Sequence, residues 1–206
     1  MKALLTTLTT SLLLLGSAST YAASTVDLTV KGLIVPSACT PNMSSGGIID
    51  HGKISAKDLR PDNPTHIGTH VMTLVVVCDA PIQFALHSID NRAGSSISSS
   101  DYGLGLINGT QKLGWYKLML RNAVADGAQM QPIASSDGGN TWYSEKFWDA
   151  GLYMALATLD DATQPASIKE LVTELVVDTS IARTDGLDLS NEVTLDGSAT
   201  LEVKYL

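Results

Sequence analysis

The sequence predicts an all-β protein, most simply a sandwich of antiparallel sheets. Short runs of β-branched and apolar residues recur along the chain, and clusters of Gly, Asn, Asp and Ser separate them. Only two cysteines are present, Cys39 and Cys78, which fits one structural cross-link in a sandwich. A chain of 206 residues is long enough to bury a substantial core.

The first 22 residues have the pattern of a cleavable signal peptide. Lys2 supplies a positive charge, residues 3–15 form a short apolar run, and small residues around Ala22 provide a cleavage site. The apolar run is too short for a membrane-spanning helix. We therefore expect residues 1–22 to be removed as the protein is exported.

The net charge and the two cysteines indicate which partners and which kinds of site to expect. The formal net charge of −8 would repel a phosphate backbone, so a nucleic-acid partner is not expected. In an exported chain a single pair of cysteines favours a disulfide between Cys39 and Cys78. No CxxC motif or suitably spaced histidine supports a metal site or a redox pair instead.

The middle of the chain contains two adjacent strand patterns. Residues 71–78 are a dense apolar run, which favours a central strand buried on both faces. Residues 79–81 end it with a proline, and a second strand over 82–88 is expected to pair with the first through this short turn. On that strand three side chains are expected on the core face: Ile82, Phe84 and Leu86.

Weaker patterns follow. Residues 102–107 indicate an edge strand, Asn108-Gly109 a tight turn and residues 113–120 another strand. Residues 152–159 are apolar enough for a strand. Residues 168–181 are ambiguous, because Ile168, Leu171 and Leu175 fit helical spacing while the stretch also alternates like a strand. The β-branched residues favour a strand from about Thr173, and a helical turn before it remains an alternative.

No catalytic or cofactor motif is found. His66 and His70 are four residues apart, but nearby Pro61 and Pro64 disfavour a helix, so surface-loop histidines are expected rather than a metal site. The chain has no Gly-x-Ser-x-Gly elbow, phosphate loop or dinucleotide fingerprint. We therefore expect no enzyme activity, no cofactor and no metal.

Two segments alternate in the manner of strands at either end of the domain. After the leader, Val26, Leu28 and Val30 share one face; this strand either pairs within its own domain or is offered to the sheet of another molecule. Residues 198–206 are the clearest strand pattern in the chain. Its inward-facing side chains are expected to be Ala199, Leu201, Val203 and Tyr205.

Together these features resemble subunits of chaperone–usher pili, and in particular the β-fimbrial major-subunit-like branch. The resemblance rests on the alternating extension, on Gly32-Leu-Ile-Val-Pro-Ser-Ala-Cys39, on Cys78 closing a strand, and on the terminal strand with Tyr205 in the penultimate position. It covers essentially the whole chain after the leader. One departure is Val193, which stands where pilins often carry a glycine.

The resemblance implies an immunoglobulin-like sandwich that lacks its last strand. Residues 23–35 would be an N-terminal donor-strand extension and residues 36–206 the pilin-like β-sandwich domain. The residues implied to fill a neighbouring subunit's groove are Val26, Leu28, Val30, Gly32 and Ile34. The residues implied to border the groove and meet the chaperone are Leu201, Val203 and Tyr205.

The partners implied are neighbouring pilus subunits, a periplasmic chaperone and an outer-membrane usher. The chain would pass through the periplasm to a cell-surface fimbria and contribute to adhesion. The alternative is a carbohydrate-binding adhesive domain that recognises a host or surface glycan. In that case Trp142, Tyr143 and Trp148 could stack on sugar rings, although packing beneath a loop is the simpler role for them.

Overall fold

The computed structural model describes residues 28–32 and 38–206. The chain divides into two units, Met1–Ile34 and Val35–Leu206. In the first unit the described residues, 28–32, form neither helix nor strand. The predicted signal peptide, Val26 and Ile34 lie outside the described residues. No helix in the described part of the chain is long and apolar enough to cross a bilayer.

The second unit consists of strands joined by turns and three short 3-10 segments, Ser44–Gly47, Ala56–Asp58 and Thr184–Gly186. The strands are, in chain order, β1 (Cys39–Met43), β2 (Thr65–Asp90), β3 (Tyr102–Gly103), β4 (Leu106–Ile107), β5 (Gln111–Lys112), β6 (Gly114–Ala125), β7 (Ala128–Gln129), β8 (Gln131–Ser135), β9 (Tyr143–Ser144), β10 (Phe147–Trp148), β11 (Tyr153–Ala157), β12 (Ser167–Ile181) and β13 (Ala199–Tyr205).

Apart from the hairpin of β4 and β5, the described strands build two antiparallel sheets that share β2. The first sheet has the order β10-β6-β12-β2, with β1 on the other side of β2 and the short β3 and β7 on β6. In the second sheet, β13 and β11 both pair with the later part of β2, and β8 and β9 continue from β11. A main apolar core contains side chains from both sheets. The predicted all-β fold is confirmed, and the arrangement is consistent with an immunoglobulin-like sandwich.

The prediction of two strands joined by a turn over residues 71–88 is wrong. Residues 65–90 form one continuous strand, β2, which passes through Pro81. Pro81 lies between Val77 and Ile82, where the ladder with β12 skips from Glu170 to Ile168. The missing N–H of Pro81 therefore falls in an irregular part of the ladder, where it interrupts less pairing than in a regular one.

The first part of β2 is buried on one face only, which corrects the prediction of burial on both faces. Met72, Leu74 and Val76 point into the core, whereas Val71 and Val77 are 52% and 48% exposed. In an antiparallel sheet one face can remain in contact with solvent, so a run of valines need not be covered twice.

The ambiguity over residues 168–181 is resolved in favour of a strand along the whole stretch. The ladder between β12 and β2 shifts register between Ile168 and Glu170. The irregularity brings Ile168 and Leu171, three residues apart, to the same buried side. The spacing that resembled one helical turn is thus produced by a bulge.

The tight turn predicted at Asn108-Gly109 is present in the structure. Asn108 and Gly109 both adopt positive φ, 50° and 73°, and connect β4 to β5. These are the values that a two-residue hairpin turn requires. The expected weak strand over residues 102–107 is divided at Gly105, whose φ is 91°.

Candidate functional site: an uncharged cleft between β1 and β13

The site begins at a corner where β1 and β13 approach each other. Cys39 and Cys78 are bonded, with sulfur atoms 2.03 Å apart, so the predicted disulfide is confirmed. The bond joins paired positions of β1 and β2. At the same corner the backbone N–H of Cys39 donates to Tyr205 Oη at 2.9 Å. The start of β1 and the end of β13 are therefore held together.

From this corner the two strands follow β2 in opposite directions. β1 pairs with residues Leu74 to Cys78 of β2. β13 pairs with residues Phe84 to Asp90, farther along the same strand. Within residues 38–206, β1 and β13 each form a ladder with β2 alone. Each strand consequently has one edge without a strand partner among the described residues.

An open cleft of about 480 Å³ lies between the two strands. Its floor is formed by core side chains of β2, β6 and β12, among them Leu74, Leu118 and Leu175, which are almost completely buried. The first wall contains residues of β1 and the segment that follows it: Pro41, Asn42, Met43, Gly46, Gly47, Ile49 and His51. The second wall contains Leu195, Gly197, Ser198, Ala199 and Leu201.

The lining of the cleft has no acidic, lysine or arginine side chain among the residues described. Two lining residues can titrate. Burial raises the pKa of Tyr116, and burial followed by the neighbouring His70 lowers the pKa of His51. Both shifts favour the neutral forms at physiological pH. The cleft therefore suits an apolar, uncharged segment better than a charged one.

Local backbone features shape both walls. Ser45, Gly46 and Gly47 adopt positive φ and turn the chain immediately after β1. Beyond the turn, His51 Nε2 lies 3.1 Å from Thr179 Oγ1 of β12, which holds the first wall against the sheet. In the second wall a Cβ added to Gly197 would lie 3.0 Å from side-chain atoms of Leu104 and Tyr116. This close approach explains a glycine at that position.

The predicted site residues are distributed between the two units. Leu201 lines the cleft, Val203 packs half-buried against the core, and Tyr205 closes the corner. Leu28 and Val30 are 88% and 86% exposed. A Cβ at Gly32 would meet no atom within 4 Å.

The sequence interpretation missed the first wall and most of the floor. Met43, Ile49 and His51 lie in a stretch without regular periodicity, so no local pattern marked them. Leu195 could have been found, because alternation of apolar residues begins at Leu187, well before β13. Leu187, Leu189, Val193 and Leu195 pack against the core in this way.

The histidines lie on a strand and not in a loop, which corrects the prediction for His66 and His70. Both are in β2. The His70 ring contacts the His51 ring edge-on, with centroids 4.8 Å apart, and His66 Nε2 is 3.7 Å from Asp178 Oδ1. Among the residues described, no group of three or more His, Cys, Asp or Glu side chains is arranged to hold a metal ion.

The aromatic residues over 142–148 have different surroundings. Trp148 is fully buried in the main core, and its indole N–H donates to the Leu152 carbonyl at 3.1 Å. Trp142 packs on a smaller cluster formed by Ala85, Ile133, Ala155 and Ala157. Tyr143 is exposed. Trp148 therefore cannot stack on a sugar in this conformation.

Fold and site together define a disulfide-bonded β-sandwich with an open, uncharged cleft; the disulfide is typical of exported proteins. A family model described as "Protein of unknown function (DUF1120)" matches residues 28–116. Two proteins of Escherichia coli K12 are similar over most of the chain. The protein described as "Uncharacterized protein YhcF" is 25% identical over 236 residues, covering 95% of this chain and 98% of its own length. The one described as "Protein GltF" is 24% identical over 223 residues, covering 87% and 88%.

Proposed function

We propose that the protein is a structural subunit of a surface fimbria and that it polymerises by donor-strand exchange. The observation that carries this proposal is the cleft between β1 and β13. Its floor consists of core side chains, and each of its bordering strands pairs on one side only within residues 38–206. A strand from a neighbouring subunit would pair with these edges and cover the half-buried apolar side chains of the walls, such as Met43 and Leu201.

The energetics favour an apolar strand as the occupant. Each large side chain moved from water into the cleft would contribute about 1.5–3 kcal/mol before the cost of ordering the strand. The exposed Leu28 and Val30 are suitable, and Val26 and Ile34 continue the same alternation in the sequence. Asp27, Thr29 and Lys31 would point away from the floor.

The proposed assembly route follows from the hazard of an open cleft. A sheet edge without a strand partner promotes aggregation unless another strand covers it. A periplasmic chaperone would cover it first, with Leu201, Val203 and Tyr205 at the contact edge, and an outer-membrane usher would then direct the exchange for the next subunit. The disulfide, which requires an oxidising compartment, supports this route of export.

The test compares three variants expressed with the chaperone and usher. Deletion of residues 24–31 should leave a subunit that folds with the chaperone and accepts a strand but does not extend the fibre. Leu28→Asp should also stop growth, because it places an unpaired charge in the uncharged cleft. Thr29→Asp is the matched control, since its side chain points outward, and it should form fibres. Normal fibres from the deletion variant would contradict the proposal.

The alternative of a carbohydrate-binding adhesive domain has less support. Of the aromatic residues considered for sugar stacking, Trp148 is buried and Trp142 is half-buried, with its indole N–H bonded to the Gly139 carbonyl at 3.0 Å. A glycan screen in which Tyr143→Ala removes saturable binding and leaves the melting temperature unchanged would favour the adhesive function.

A further inference from the structure

The outer face of the first sheet, meaning the side chains of β2, β12, β6 and β10 that point away from the core, is organised in rows. Register across the four strands aligns Val71, Val176, Met119 and Phe147 in one apolar row. A second row aligns Val75, Val172 and Val124. The exposed members are Val71, Phe147 at 46% and Val172 at 39%, whereas Val176 in the centre of its row is only 2% exposed, beneath its neighbours.

Charged rows alternate with the apolar rows. Glu174 pairs with Arg121 between the two apolar rows, and their side chains form an ion pair at 2.8 Å. Asp178 pairs with Lys117 in the row beyond Val71. In both rows the acid lies on β12 and the base on the neighbouring β6.

This pattern is complementary to itself. A two-fold axis parallel to the strands, between β12 and β6, would place the acids of one copy over the bases of the other. The same rotation would place Val71 over Phe147 and Val176 over Met119, so that apolar rows meet apolar rows. Such an arrangement is an isologous contact, in which the same patch serves both partners.

We propose that the outer face of the first sheet is a contact surface for a second copy of this chain. Contiguous apolar side chains on the exposed face of a sheet commonly mark an interaction site. The charged rows favour this occupant, because the two-fold contact places Glu174 of one copy over Arg121 of the other in addition to the ion pair within each chain. An apolar partner would remove water from that ion pair and supply no second opposite charge.

The size of the face predicts a weak contact. Three strands at about 4.8 Å spacing and about 25 Å in length, with the two-residue β10 beside them, give roughly 400 Å² per copy, against about 800 Å² per partner in a stable complex. A single contact would thus be transient. Repeated along two fibres, many such contacts would act together and bundle the fibres laterally. This last step rests on the proposed function, whereas the pairwise contact does not.

The decisive test is charge reversal followed by mixing, measured on the full chain by concentration-dependent sedimentation and on fibres by electron microscopy. Arg121→Glu makes the face acidic and Glu174→Arg makes it basic, so each variant alone should lose association. An equimolar mixture of the two should regain it, because acidic faces then meet basic ones. A merely intramolecular effect on the Arg121–Glu174 ion pair could not be repaired by mixing.

Val172→Lys provides an independent variant, and Ile97→Lys its control, since Ile97 is exposed on the loop between β2 and β3. Bundling and pairwise association should be lost with Val172→Lys and retained with Ile97→Lys. Unchanged association in all the outer-face variants, or a mixture that stays dissociated, would overturn the inference. Fibres that form but do not bundle in Val172→Lys would support it, whereas absence of fibres in the unaltered chain would contradict only the fimbrial proposal.

Discussion

The central strand β12 and the cleft strand β13 carry the same alternation of side chains and bury it to different degrees. In β12, Leu171, Thr173 and Leu175 are almost fully buried. In β13, Ala199, Leu201 and Val203 point inward yet stay half-buried. The difference arises from neighbours, because β12 lies between β2 and β6, whereas β13 pairs only with β2 in the described chain.

In these two long strands, alternation determines which side faces the core, and the strand with two partners has that side covered more completely. A strand with one partner leaves part of its apolar face and one row of backbone groups available. In this protein two such strands, β1 and β13, border the same cleft. Stability should therefore be concentrated in the main core around β2, β6 and β12, which includes Trp148, and four sets of variants examine this distribution.

The largest loss is expected at Trp148, which is fully buried in the main core. Trp148→Ala should lower the free energy of unfolding by about 3–5 kcal/mol, because it removes a large side chain from a packed interior. Urea unfolding measures the change. Phe147→Ala, at the exposed neighbouring position, should cost far less, and equal costs would contradict the assignment of Trp148 to the core.

The second prediction concerns the disulfide, which fixes β1 in the first wall of the cleft. Replacement of both Cys39 and Cys78 by alanine should cost about 2–5 kcal/mol, as for other native bridges in exported domains. Since β1 has only β2 as a strand partner in the described residues, its amides should lose protection first. Hydrogen exchange of β1 compared with β12 would show this, and equal loss in both strands would speak against a weakly held wall.

The third prediction concerns Leu201, which lies in the second wall of the cleft. Leu201→Ala should destabilise the free chain by only about 1 kcal/mol, because a half-buried side chain loses roughly half of the usual burial energy. Addition of a peptide with the sequence of residues 23–35 should raise the melting temperature of the unaltered chain and raise that of the variant less. A peptide with Leu28 replaced by Asp is the control and should have no effect on either.

The smallest expected effect is a pH dependence at His51. Burial, followed by His70, lowers its pKa in the folded state below the ordinary value of 6.5. The unfolded chain therefore binds the proton more readily, so stability is highest above pH 6.5 and declines as the pH falls through that value. Urea midpoints measured at about pH 7.5 and about pH 5.5 should differ less in His51→Gln than in the unaltered chain. No change in slope for His51→Gln would contradict the effect.

Much of the fold could be predicted because it depends on local patterns. The disulfide followed from two cysteines behind a predicted signal peptide, and the inward face of β13 followed from the spacing of Ala199, Leu201 and Val203. The continuity of β2 could not be predicted, because Pro81 resembles a turn residue unless its position in the ladder is known. Residues 121–150 gave no clear periodicity, since β7, β9 and β10 have only two residues each.

The candidate site was predictable only in part, for the same reason. Its second wall belongs to a strand with regular alternation, whereas its floor collects Leu74, Leu118 and Leu175 from three distant strands. These three side chains are adjacent because of the order of the strands in the sheet, which no local sequence pattern reveals. The first wall lies in an irregular segment, so His51 could be connected with the cleft only through its contact with Thr179.

The continuous strand β2 also imposes an order of events in time. The residues that pair with β2 extend from Cys39 to Tyr205. The two halves of β2 therefore pair with segments that are far apart in the chain. Contacts between such distant residues form slowly, because a long loop must close before any pairing is gained. While the chain emerges, β2 can pair first with β1 and then with β11 and β12, and its pairing with β13 is completed only after residue 205 has appeared. Until then the later part of β2 lacks one of its strand partners.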